Sequence, residues 1–203
     1  MTLTRHDAAE VDRLLDHPDG ERAGLARLWH AWDEGLGPPE LRAQEPPPDE
    51  PFLDHIEEND DIRRNWEGLH VLVTGCDRHD AHEDDDPPCG PAPARDVAMG
   101  GLSLDGSGSG GRLNTPFLLT PAQVRAVHGF LRDLDPAALI RERAALVADA
   151  GVYSFHMGVL QPDGSTPRMS MVEDGSLLAS LRGVRDFYAR AAAAGNAVIK
   201  EIS

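Results

Sequence analysis

The sequence predicts an α+β protein: one domain over residues 1–203, with about six helices packed on a small mixed or antiparallel sheet. Three observations predict this class. Ile62, Trp66, Leu69 and Val73 fall at i, i+4, i+7 and i+11, one face of a helix, and later stretches repeat that period. Phe117-Leu118-Leu119 and Val152 to Leu160 read as strands, the second by alternation. A length of 203 residues supports one good core with long loops.

In chain order, Thr4 reads as the cap of a first helix, with Asp7 in its first turn and Val11, Leu14 and Leu15 on its apolar side. Pro18-Asp19-Gly20 makes a turn. Glu21 to about Glu34 reads as a second helix, with Leu25, Leu28, Trp29 and Trp32 on one stripe. Pro38, Pro39, Pro46, Pro47, Pro48 and Pro51 make residues 38–51 a stiff, solvated connector. The helix from Ile62 ends at Gly75, which suits the left-handed position past a helix end.

Asp84-Asp85-Asp86, Pro87-Pro88 and the run Gly106 to Gly111 make residues 76–112 read as mostly mobile loop. A short strand within Val97 to Leu104, broken at Gly100-Gly101, is the exception. Thr120 and Pro121 start a helix carrying Val124, Val127, Leu131 and Leu134. Asp135-Pro136 repeats that start for a helix to about Asp149, closed by Gly151. Pro162-Asp163-Gly164 turns the strand from Val152 towards a hairpin partner at Arg168 to Val172. Leu177, Leu181, Val184, Phe187, Tyr188 and Ala191 define a helix from about Gly175 to Ala194, and Ala197 to Ile202 is a last strand.

Asp61-Ile62-Arg63-Arg64-Asn65-Trp66-Glu67-Gly68-Leu69-His70, followed by Leu72-Val73-Thr74-Gly75, resembles the signature of the YfbM-like proteins. These are small bacterial proteins that form a domain family of unknown function. Phe117 to Val124 resembles the family's strand-then-helix entry. Val184 to Tyr188 with Ala194 to Val198 resembles its closing helix and last strand. The resemblance implies a compact α+β fold and no known activity. Relatives open with a short apolar strand, whereas this chain reads as starting at the helix.

Charge is unevenly placed. Residues 1–100 hold 25 acidic and 9 basic groups, and residues 101–203 hold 10 of each, so the net −16 lies in the first half. Such a surface repels phosphate backbones, so no nucleic-acid partner is expected. It could attract a basic protein, or simply keep the chain soluble. No apolar run approaches the ~20 residues that span a bilayer, and no export signal opens the chain, so a cytoplasmic protein without a membrane partner is expected. Basic residues are 18 Arg and the single Lys200, a coding bias.

His70 lies one helical turn after Trp66. The plain reading is a core Trp with a hydrogen-bonded, partly buried His beside it. The functional reading makes His70 a proton-transfer or ligand group lining a cleft. Trp66, His70, Tyr188 and Asn196 are the candidate ligand-pocket residues. They are far apart in sequence, as are His128 and His156, so only the fold can bring them together. Cys76, His79, His82 and Cys89 form the one metal-like set, chemically suited to zinc, although their spacing matches no standard finger. An acidic loop with incidental His and Cys explains the same residues, and protein without metal is the expected state. No catalytic set is assembled by local spacing. The leading expectation is a non-enzymatic protein-interaction module, of immunity or inhibitor type. The alternative is a small-ligand or metal-dependent enzyme with its site near Trp66 and His70.

Overall fold

The last strand of the chain forms the middle of the sheet. A computed structural model describes residues 2–6, 8–9, 11, 60–76, 89–103, 117–152, 156–158 and 168–201. Ala197–Glu201 (β6) pairs on one side with Thr2–His6 (β1), from Thr2 opposite Glu201 to His6 opposite Ala197. On its other side it pairs with Phe117–Leu119 (β3), which in turn pairs with Leu102–Ser103 (β2). The order is therefore β1-β6-β3-β2.

Residues directly opposite each other share a face. Leu3, Lys200 and Phe117 are opposite one another, so they lie on one face with Val198 and Leu119. Leu3, Leu119 and Val198 belong to the core formed with the helices, so this is the helix-covered face. Leu118 and Ile199 lie on the other face and are also buried. Burial on both faces explains why Ala197-Val198-Ile199 is a continuous apolar run without alternation.

Four α-helices occur among the described residues: Asp60–Thr74 (α1), Pro121–Asp133 (α2), Pro136–Asp149 (α3) and Ser176–Ala194 (α4). α2 begins with a full capping box. The Thr120 hydroxyl accepts the Gln123 N–H at 3.4 Å, and the Gln123 side chain accepts the Thr120 N–H at 2.9 Å. At α3 the Asp135 carboxylate accepts the N–H groups of Ala137 and Ala138 at 3.0 and 3.1 Å. α4 is the hub and packs against α1, α2 and α3. α1 lies against α3, α4 and a 3-10 turn at Arg95–Val97. Contact on several sides buries Asn65, Glu67 and Val71 together with the expected Leu69, Leu72 and Val73. His156–Gly158 (β4) and Arg168–Ser170 (β5) pair as a separate antiparallel hairpin.

Three expectations change. The chain opens with strand β1, where a helix capped by Thr4 was expected. Leu3 fills the core between polar neighbours, and pairing with β6 takes up the backbone hydrogen bonds. About six helices were expected. The two N-terminal ones fall mostly on residues 12–50, outside the described residues, with Ala8, Ala9 and Val11 helical. Of the mixed and antiparallel sheets expected, every described strand pair shows the antiparallel one. The reason is that α4 returns the chain to the sheet edge where β3 leaves it, which sets Leu119 opposite Val198. Finally, residues 89–103 depart from the mobile loop expected over 76–112: they carry the 3-10 turn and β2, and Ala94, Val97 and Ala98 are buried. The rest of that loop and the connector 38–51 lie outside the described residues.

Candidate functional site: a sealed polar junction

Chemistry-bearing side chains meet where α1, α4, β6 and the 3-10 turn join. Lys200 stands on the helix-covered face of the central strand and is 0% exposed. Its ammonium donates to the Asp96 carbonyl at 2.7 Å and to the Gly100 carbonyl. From α4, the buried Tyr188 hydroxyl donates to the Val97 carbonyl at 3.2 Å and lies 3.4 Å from the Asp96 carbonyl. Both side chains thus satisfy carbonyls that the short turn leaves without partners of its own.

His70 comes from α1 and is 5% exposed. Among the described residues, neither of its buried ring nitrogens has a hydrogen-bond partner. Asp96 Oδ1 and Arg95 Nε are in the same condition. They lie 3.5 Å apart, within ion-pair range but not in hydrogen-bond geometry.

Burial controls the titration of this junction. Loss of water lowers the Lys200 amine to about 7; the Asp96 charge opposes that fall and Arg95 adds to it. Loss of water also lowers His70 to about 4, with further push from Lys200 and Arg95. Tyr188 is driven upward by burial and by Asp96. At neutral pH the tyrosine keeps its proton, the imidazole is neutral and the lysine is near its midpoint. A lysine that gives up its proton near neutrality is the type used as a base or an imine-forming amine. Here, however, its protons go to backbone carbonyls and no part of it is open to solvent.

Of the four pocket candidates, the fold unites two. His70 and Tyr188 both border the Lys200–Asp96 contact. Trp66 is half-buried against the helical core, and among the described residues the buried His70 beside it lacks the hydrogen bond expected of it. Asn196 closes α4 through its backbone N–H, which reaches the Ala191 carbonyl at 3.0 Å. It stands four residues before Lys200 on an extended strand, about 13 Å away at 3.3 Å per residue. Among the metal candidates, Cys76 and Cys89 are both half-buried thiols, while His79 and His82 lie outside the described residues. Among the described residues, no group of three His, Cys, Asp or Glu is placed to hold a metal.

Lys200, Asp96 and Arg95 were not among the residues singled out by sequence. A signal for Lys200 was present. It is the one Lys beside 18 Arg, at the end of an apolar strand run. A guanidinium cannot shed its proton to enter a core, whereas an amine can.

Residues 1–200 match the family described as a domain of unknown function (DUF1877). The chain belongs to that family. The YfbM-like resemblance carried by residues 59–75 agrees with this membership. Among solved structures, the DUF1877 chain is similar to YfbM from Escherichia coli, a protein of unknown function. Identity is 17%, the TM-score is 0.44, and the match covers 73% of this chain and 90% of that one. No curated protein matches. None of the described helices of this DUF1877 protein is long and apolar enough to cross a membrane.

Proposed function

We propose that this chain is a non-enzymatic protein-interaction module, of immunity or inhibitor type, acting in the cytoplasm on a basic protein. One observation supports a binder over an enzyme. The polar junction is sealed: Lys200 and Tyr188 are fully buried and hydrogen-bonded to the backbone of the 3-10 turn. Such groups hold a turn in place and do not meet a substrate. The partner class comes from charge, since the whole net −16 lies in residues 1–100. A surface of one sign speeds encounter with the opposite sign and repels nucleic acid.

A salt series on surface-immobilised chain tests this reading against cytosolic basic proteins purified from the source cell. The association rate should fall steeply with salt while the dissociation rate changes little. Neutralising Asp84, Asp85 and Asp86 should slow association if that run steers the encounter. Salt-independent association, or no basic partner at low salt, would remove the reading's support.

The rival is a small-ligand or metal-dependent enzyme working beside Trp66 and His70. It draws on one feature, the two unpartnered His70 nitrogens. A ligand held there would protect the chain against heat, and His70→Leu would abolish that protection.

A further inference from the structure

We infer that Cys76 and Cys89 form a dithiol–disulfide couple, a modification site at which a small-molecule disulfide closes residues 77–88 into a ring. The structure seats Gly90, the residue next to Cys89, against Cys76, although a dozen residues separate the two cysteines in sequence. Cys76 is fixed at the end of α1. Its N–H donates to Thr74 Oγ1 at 3.2 Å, and that hydroxyl donates to the His70 carbonyl at 2.6 Å. The Gly75 N–H donates to the Val71 carbonyl at 2.8 Å.

The other end is fixed through Gly90. Its φ is +96°, and a Cβ added there would lie 2.8 Å from Thr74 Cβ, 2.9 Å from Thr74 Cγ2 and 3.4 Å from Cys76 Sγ. Only glycine lets the backbone lie this close to the helix end. Downstream, the Arg95 N–H donates to the Pro91 carbonyl at 3.0 Å and ties the segment to the 3-10 turn. Cys89 directly precedes Gly90, about 3.8 Å away between Cα atoms. A disulfide needs a Cα separation of about 4.4–6.8 Å, which this close seating favours. Both thiols are half-buried, so a small oxidant can reach them. They are the only two cysteines of the chain, so no other intramolecular pairing competes.

The step balances as thiol–disulfide exchange. One cysteine thiolate attacks a sulfur of the small disulfide and releases its first thiol. The second cysteine thiolate then attacks the protein sulfur of the mixed disulfide and releases the second thiol. The two protein thiols lose two protons and two electrons, and the small disulfide is reduced to two thiols.

The test uses the full chain, equilibrated without oxygen in glutathione buffers of graded thiol-to-disulfide ratio. Samples are quenched in acid, alkylated and read by intact mass and peptide mapping. Both thiols should disappear together in a two-electron transition, leaving a Cys76–Cys89 cross-linked peptide and no retained glutathione. The native chain should also oxidise at least tenfold more readily than the same chain in denaturant, a midpoint about 30 mV more reducing. Cys76→Ser should instead leave Cys89 carrying glutathione. Native protein that ends with glutathione on either cysteine, keeps both thiols, cross-links between chains, or gains nothing over the denatured chain would overturn the inference.

Discussion

His70 and Lys200 make stability depend on pH in a direction set by their burial. Each is a base whose pKa is lower in the fold than in the unfolded chain, so the unfolded chain binds more protons between the two values. Stability should rise from pH 4 to 6.5 through His70, and again from about 7 to 10.5 through Lys200. At 1.36 kcal/mol per pKa unit, the His70 window is worth on the order of 3 kcal/mol and the Lys200 window on the order of 5 kcal/mol. Denaturant midpoints across both windows check this, and Lys200→Met should flatten the upper rise. Lys200→Arg should be the more damaging change, by about 3 kcal/mol or more, because a guanidinium stays charged in the same sealed space. His70→Leu should be neutral or stabilising near pH 7, since neither ring nitrogen has a hydrogen-bond partner to lose. A loss above about 2 kcal/mol in urea unfolding would mean that His70 holds something there.

α2 and α3 carry their own start signals, and tertiary contacts add what local signals lack. Thr120→Ala removes the hydroxyl half of the α2 capping box, leaves the backbone N–H of residue 120 to the Gln123 side chain, and should cost about 1 kcal/mol, read as a lower urea midpoint. The α1 helix behaves differently. Its Asn65 side chain donates to the Ser180 hydroxyl of α4 at 3.1 Å, and both residues are buried. Asn65→Leu should therefore cost about 1–3 kcal/mol, because Ser180 is left in the core without that donor. Trp66→Ala should cost less than a fully buried Trp would, about 2 kcal/mol, because Trp66 is only half-buried. An Asn65→Leu chain with an unchanged urea midpoint would contradict the packing of α1 on α4.

Across the whole molecule, the charge of −16 opposes compaction, since like charges are drawn together on folding. Raising salt from about 0.01 to 1 M shortens the screening length from about 30 to 3 Å. The melting temperature should rise over that range, and calorimetry checks it. A fall would show that attractive ion pairs outweigh the repulsion. Chain order also matters at this scale. β1 and β6 come from opposite ends of the chain yet pair residue for residue, so the ends close the sheet together. Truncation after Asn196 would remove the central strand and Lys200, and should leave a chain without a cooperative thermal transition.

The local signals were legible because they are set within a turn or two of chain. Thr120-Pro121 and Asp135-Pro136 start helices, Gly75 and Gly151 take left-handed angles at helix ends, and Phe117 to Leu119 is a strand, all as the residues indicate. Thr4 was misread because a short edge strand and a helix start look alike over five residues, and only the partner strand β6 decides between them. The candidate site was half legible. His70 and Tyr188 stood out, whereas Asp96 and Lys200 acquire meaning only from each other, 104 residues apart. Sequence by itself determined the helices α1 to α4, the caps of α2 and α3, and the family. Tertiary structure alone decided which strand is central, that a lysine is buried there, and that it is sealed. The physical reason is that burial and pairing belong to the surroundings of a residue, and those surroundings come from distant parts of the chain.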